Sequence, residues 1–375
     1  LDYTPGRVAV GQSVAIVRAF MAHHQGMTIV AIANTLFDGV MRTRFHAEPM
    51  VQATELLLQE RMPRDVSAAH SWAAEVKTDA VALTNQPSGI RRFASAQQRT
   101  PAALLLSNGR YAVMVTAAGS GYSRWGDIAV TRWREDATCD DHGSYIFIRD
   151  VHSGAVWSAG YQPSGVEPDS YAAAFHEERA EFIREDGALT TTMDVLVSAE
   201  DDAEVRRVTL CNNGPRALEL ELTSYAELAL APQAADVAHP AFSKLFVETE
   251  YSADSGAILA TRRRRAPGEP EIWAAHLVIV DGELADAKSG KQEIETDRAR
   301  FLGRGQGVRT PIAVMDGRPL SNTVGAVLDP IFALRRRVRV GPGAVVRAAF
   351  WTMVAASRKE LLDAVDRHRD AAAYA

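Results

Sequence analysis

The chain has 375 residues, enough for two or three domains and for a core that needs no staples. Its net charge of −6 argues against a nucleic-acid partner, since phosphate recognition asks for a strongly basic face. The apolar runs 112–118 and 273–280 are far below the roughly 18–20 residues of a membrane span, so no membrane contact is expected of these residues. Cys139 and Cys211, far apart and alone, form neither a metal cluster nor a disulfide framework, and a reducing compartment fits them best.

The opening lacks an initiator Met and a basic, apolar leader, and both ends read as cut points in a longer protein. Residues 12–36 predict a helix with apolar side chains on nearly all faces, as inside an all-α domain, with Gly39 at its end. Pro49 opens a second predicted helix over 50–60, and Pro63 stops it. Residues 63–100 are rich in Ala, Ser, Thr, Gln and Asn and read as a linker pinned by Trp72 and Phe93.

From Pro101 to about Phe350 the pattern is β throughout, which predicts a large antiparallel sandwich. Asn108-Gly109, Asp186-Gly187, Asn213-Gly214-Pro215 and Gly341-Pro342-Gly343 mark its turns. Leu218–Thr223 alternates strictly, which predicts a sheet with one wet face. The arginine runs 262–265 and 335–337 read as solvated strand ends. A last helix follows, with Ser357 and Glu360 as a capping box and Leu361, Leu362 and Val365 as its apolar stripe.

Chemistry has few footholds. Trp125, Trp133, Trp157, Tyr122 and Tyr161 fall within forty positions of each other, among Arg124, Arg134, Asp127, Asp136 and Asp150. Aromatic rings stack on sugars and charged groups bind hydroxyls, so the cluster suits a carbohydrate; the same rings also suit a sandwich core. Gly119-Ser120-Gly121 is no phosphate loop, as no Lys-Ser/Thr follows it. His23 and His24 point about 100° apart on a helix and form no metal pair; one of them lines a pocket, or both are core histidines. Glu55 with Glu60, Glu177 with Glu178 and Asp201 with Asp202 are carboxylate pairs without a distinctive setting. No catalytic residue, metal site or cofactor site emerges.

Several strings go further. Ala22-His23-His24-Gln25-Gly26-Met27 and 51–61 resemble the end of the glycoamylase-like domain of cyclic β-1,2-glucan synthases. Asn108–Tyr111, Gly121–Trp125, Thr131–Arg134, Ile148–Asp150, Tyr161–Pro163, Glu295–Arg298 with Phe301–Gly305, and Leu328–Ile331 resemble the segment that follows it. That segment is the sandwich of the glycosyltransferase-36 type, shared with cellobiose and chitobiose phosphorylases.

The resemblance implies a galactose-mutarotase-like super-sandwich over 101–352. Helical-domain remnants over 1–62 and a linker over 63–100 precede it, and a linker helix over 353–375 leads to an (α/α)6 barrel. The barrel would hold the catalytic Asp and the site for inorganic phosphate, the co-substrate in cleavage of β-glucan to glucose 1-phosphate. The partners implied are a β-glucan oligosaccharide, the barrel and glycoamylase-like domains, and a second copy in a homodimer. The place implied is the cytoplasmic face of a bacterial inner-membrane protein. Tyr122, Ser123, Arg124, Trp125 and Arg134 are the residues expected to bind substrate, His23 and His24 to line a pocket of the helical segment, and Glu55 stays open. Relatives often have Gly-Gly-Gly-Tyr-Ser where this chain has Gly119-Ser120-Gly121-Tyr122-Ser123. The fragment is expected to support rather than catalyse; a stand-alone carbohydrate-binding module and a structural or dimerising spacer are the rival readings.

Overall fold

The computed structural model describes residue 14 and residues 22–49, 51–52, 89–98, 100–136, 141–265, 268–284 and 292–369. The chain divides into two compact units, Leu1–Gln86 and Pro87–Ala375. In the first, α1 (Ala22–Leu36) and α2 (Val40–His46) are joined through Gly39, whose left-handed φ of 77° reverses the chain. Contrary to expectation, no residue of α1 is buried, and Met27, Ile29, Ile32 and Leu36 stay exposed. A helix apolar on every side is buried only when several elements surround it, and α2 is too short to do so. The second expected helix, beyond residues 51–52, and Trp72 lie outside the described residues.

The second unit is a sandwich of two antiparallel sheets. The ten-stranded sheet runs β1 (Arg91–Phe93), β8 (Ser170–Phe175), β9 (Arg179–Asp186), β10 (Leu189–Val197), β11 (Ala203–Asn212), β19 (Val345–Ala355), β15 (Trp273–Asp281), β14 (Ala257–Arg262), β13 (Val247–Ser252), β17 (Gly325–Ala326). The other runs β16 (Glu293–Asp297), β18 (Pro330–Val340), β12 (Leu218–Pro232), β5 (Ile128–Thr131), β4 (Gly121–Trp125), β3 (Tyr111–Thr116), β2 (Ala103–Ser107). Its β6 (Tyr145–Asp150) pairs with both β12 and β7 (Val156–Ser158). The main core, with Val113, Phe182, Leu222, Phe332 and Phe350, draws on both sheets.

The β9–β10 hairpin forms where the Asp-Gly signal lies, but Asp186 pairs with Leu189, so its two loop residues are Gly187, with φ 59°, and Ala188. Two of the other turns do different work. Asn213-Gly214-Pro215 and Gly341-Pro342-Gly343 carry the chain from one sheet to the other, β11 to β12 and β18 to β19. Buried Asn212 binds both crossovers: its Nδ2 donates to Arg216 O at 2.7 Å and Val340 O at 3.0 Å, and its Oδ1 accepts from Gly214 N at 3.0 Å.

Three expectations need correction. Within the stretch read as a linker, Arg91–Phe93 forms an edge strand on β8, and Phe93 packs edge-on against Phe175 at 5.1 Å. The alternating face of β12 is not wet. Leu220 and Leu222 fill the main core, while Glu221 on the other face is 2% exposed, between Arg149 at 3.2 Å and Arg337. The run 335–337 is likewise no solvated end: Arg335 is 3% exposed and donates to Thr223 Oγ1 at 3.0 Å. Cover comes from α5 (Arg298–Leu302) and α6 (Ile312–Met315), whose Phe301, Leu302 and Val314 form a satellite core with Tyr145, Tyr225 and Ile331. At the other run, Arg262 ends β14 and Arg263–Arg265 are exposed, as expected.

Finally, α7 (Arg358–His368) starts at Ser357, whose Oγ accepts from Glu360 N at 3.2 Å. Leu361 and Val365 bury against Leu259, Leu277, Trp351 and Met353 on the outer face of the ten-stranded sheet. Short helices α3 (Gln233–Ala238) and α4 (Pro240–Lys244) follow β12.

Between the sheets His276 bridges Ser224 Oγ (2.9 Å) and Thr352 Oγ1 (3.0 Å), stacked on Phe332 at 5.4 Å. Burial lowers its pKa from 6.5 to about 3, so the ring is neutral. The unfolded chain binds this proton more readily, so the contribution is complete above about pH 6.5 and is lost as pH falls toward about 3. In urea titrations, the protein should lose roughly 2 kcal/mol more stability between pH 7 and pH 5 than its His276→Gln variant. Equal losses would place the acid sensitivity elsewhere.

Candidate functional site

The candidate residues start on β4, whose alternation divides them. Tyr122 and Arg124 point to one face, Ser123 and Trp125 to the other. Ser123 is fully buried, and its hydroxyl donates to the Glu204 carboxylate, which also accepts from Tyr111 at 3.1 Å. The half-buried Trp125 donates Nε1–H to Asp202 at 2.7 Å, and Arg110 holds the other oxygen of that carboxylate at 2.9 Å. The expected five-residue surface is therefore two surfaces, one on each side of the sheet.

On the outer side, Tyr122 meets Trp133 with ring centroids 5.6 Å apart, and both are half-buried. Arg134, next in chain, binds Asp236 at 2.9 Å. Trp157 packs on the main core from β7, and Tyr161 meets Tyr171 edge-on at 6.3 Å. His23 and His24 are exposed on α1, in the first unit, with their rings 4.1 Å apart. Glu55 and Glu60 lie outside the described residues.

Beneath Trp133 lies a charge network that no local signal announces. Arg132 is 5% exposed and reaches Glu227 at 2.8 Å, Asp236 at 3.0 Å and Asp329 at 3.4 Å. Arg298 binds Glu227 at 2.6 Å, Tyr225 donates to Glu227 at 2.7 Å, and Lys244 binds Asp329 at 2.8 Å. Nearby, β12 bulges between Leu228 and Ala231, with buried Leu230 in the left-handed region at φ 47°. Burial opposes the Glu227 charge, but the fields of Arg298 and Arg132 and the Tyr225 hydroxyl outweigh it and bring its pKa down to about 2. For Arg132 too, burial is outweighed, by Asp236 and Glu227, and its pKa rises. Three of the strings singled out by resemblance meet here: Thr131–Arg134, Glu295–Arg298 and Leu328–Ile331. Two more, Asn108–Tyr111 and Gly121–Trp125, meet around Asp202 and Glu204.

The carboxylates at Asp201 and Asp202 have a setting the sequence did not reveal. Asp201 is held by Arg367 at 2.6 Å and His368 at 2.7 Å from α7. With Trp125, Arg367 and the end of β19, Asp201 and Asp202 line a cavity of about 380 Å³ between the sandwich and α7.

With this geometry in view, residues 86–371 match the model of the glycosyl hydrolase 94 supersandwich domain. The chain belongs to this family. This supersandwich is 42% identical, over 98% of its length, to the cyclic beta-(1,2)-glucan synthase NdvB of Rhizobium meliloti (strain 1021), covering 13% of that protein. It is 28% identical to the solabiose phosphorylase of Paenibacillus borealis over 53% of this chain and 24% of the relative. It is 24% identical to the N,N'-diacetylchitobiose phosphorylase of Vibrio furnissii over 65% and 30%. The chain thus spans less than a third of each of these relatives.

The glycine string of the supersandwich is graded in tolerance. A Cβ on Gly121, at φ 154°, would lie 1.9 Å from the Met114 carbonyl oxygen. Ser120 is not among the residues of positive φ, so its side chain brings no backbone strain. Thermal unfolding should find Gly121→Ala destabilised by about 3 kcal/mol or more, and Ser120→Gly destabilised by less. Arg132→Ala leaves Glu227 and Asp236 buried without their shared cation and should cost about 3–5 kcal/mol in denaturant unfolding.

Proposed function

We propose that this chain is the supporting sandwich of a phosphorylase-type module within a larger cyclic β-1,2-glucan synthase, and that it does not catalyse alone. The module cleaves β-1,2-glucan with inorganic phosphate and releases glucose 1-phosphate. Its catalytic acid and phosphate site lie on an (α/α)6 barrel reached through residues 353–375. Residues 1–62 are the end of a glycoamylase-like domain. The whole works at the cytoplasmic face of an inner membrane, as a homodimer. The reading takes its substrate and its setting from the synthase and phosphorylase relatives.

The observation that carries it is the charge-locked platform under Tyr122 and Trp133. A glycoside acid at neutral pH needs a raised carboxyl pKa. Glu227 goes the other way, down to about 2, and Glu204 is tied to Tyr111, Ser123 and, at 3.3 Å, Arg206. These carboxylates serve rigidity. What they hold rigid is a half-buried aromatic pair with Arg134 beside it, a surface fitted to a sugar ring or to the wall of an adjoining active site.

The test is glucose 1-phosphate release from β-1,2-glucooligosaccharides plus phosphate, by this chain and by a protein extended through the following domain. Activity is expected only in the extended protein, and Tyr122→Ala there should lower kcat/KM about tenfold or more, the value of a lost stacking contact in a closed site. Activity of the 375-residue chain by itself, or none in either protein, would overturn the reading.

A further inference from the structure

The cavity between the sandwich and α7 is distinct from the Tyr122 face, because Trp125 and Tyr122 lie on opposite sides of β4. Its volume, about 380 Å³, falls in the range of roughly 300–1,000 Å³ typical of small-molecule sites. Its wall is the indole of Trp125 and its base the end of β19, Met353 to Ala356. The rim alternates in charge, with Arg110 and Arg367 against Glu200, Asp202 and Glu360.

These groups differ in what they have left to offer. Asp202 is occupied on both oxygens, by Trp125 Nε1 and Arg110. That fixes the indole plane without help from a ligand. The Glu200 and Glu360 side chains, both exposed, carry no hydrogen bond or ion pair among the described residues. They are free acceptors at the mouth of a cavity whose wall is a pre-oriented ring. Arg110 and Arg367 each spend only part of their five donors on Asp202 and Asp201.

A rigid indole, free carboxylate acceptors and spare guanidinium donors suit a neutral polyhydroxylated ring. Its apolar face lies on the indole and its hydroxyls bond the rim. The carboxylates disfavour an anion, so phosphate and sugar phosphates are poor fits. We propose that this cavity is a second carbohydrate site, binding one glucosyl unit of a glucan held elsewhere on the protein. The reading rests on the proposed function only for the choice of sugar. The site closes against α7, so occupancy should also tighten the docking of that helix.

The experiment titrates the 375-residue chain with sophorose and longer β-1,2-glucooligosaccharides by calorimetry and tryptophan fluorescence. Binding is expected with a change in fluorescence. Glu360→Ala, on the exposed side of α7, should weaken it about tenfold, the value of one charge-assisted hydrogen bond. Trp125→Phe keeps a ring and should retain measurable binding while losing most of the fluorescence change. Glu283→Ala, an exposed change on the loop after β15 that does not line the cavity, should leave this affinity unchanged. The site is overturned if no sugar binds at millimolar concentration, if Glu360→Ala leaves the affinity unchanged, or if a divalent cation alone produces the response. None of these outcomes bears on glucose 1-phosphate release by the extended protein, so this site and the phosphorylase reading can fail separately.

Discussion

The Arg132 guanidinium is the point on which the second sheet is built. It follows the end of β5, and its anions come from β12, the adjoining α3 and the segment before β18, so one side chain ties together three regions far apart in sequence. The desolvation this costs is offset because every carboxylate is shared. Glu227 answers to Arg132, Arg298 and Tyr225; Asp236 to Arg132 and Arg134; Asp329 to Arg132, Arg298 and Lys244. Such sharing buries charge without an orphan. It also fixes Trp133, between two committed arginines, and through Trp133 the outer face of β4.

The sandwich uses a second device of the same kind on its other side. Glu204 gathers Tyr111, Ser123 and Arg206, while Asp201 and Asp202 reach out to α7, Arg110 and Trp125. A single turn between β10 and β11 thus joins the interior of the sandwich to its last helix. The two devices stand on opposite sides of β4, so the aromatic residues that cluster in sequence serve different surfaces.

Much of the β pattern was legible because turns are local. Asp186-Gly187 marks a hairpin, found with Gly187-Ala188 as its loop, and Ser357 marks a helix start, found with its Oγ accepting from Glu360 N. The alternation Leu218–Thr223 correctly located a strand facing the core but not what covers its second face. The arginines that neutralise Glu221 sit about 70 and 116 positions away. The split of the β4 residues is implicit in the strand's period of two, which places neighbours of one sequence motif on opposite faces. Nothing in the sequence alone joins positions 132, 227, 236, 298 and 329; only the folded chain brings them together. The exposure of α1 reflects its all-round apolar character, which local periodicity reads but cannot supply with neighbours.

Asn212 carries a mechanical consequence. Two of the passages between the sheets, β11 to β12 and β18 to β19, lie at one corner, and its amide bonds the turn after β11 and the end of β18 together. The two layers cannot slide past each other without breaking those bonds inside a dry corner. Shear, the usual way in which stacked layers accommodate a moving neighbour, is therefore closed to this sandwich. A displacement of α7 must be passed to the Tyr122 face by rotation of the whole body, as through a stiff lever, and not by internal yielding.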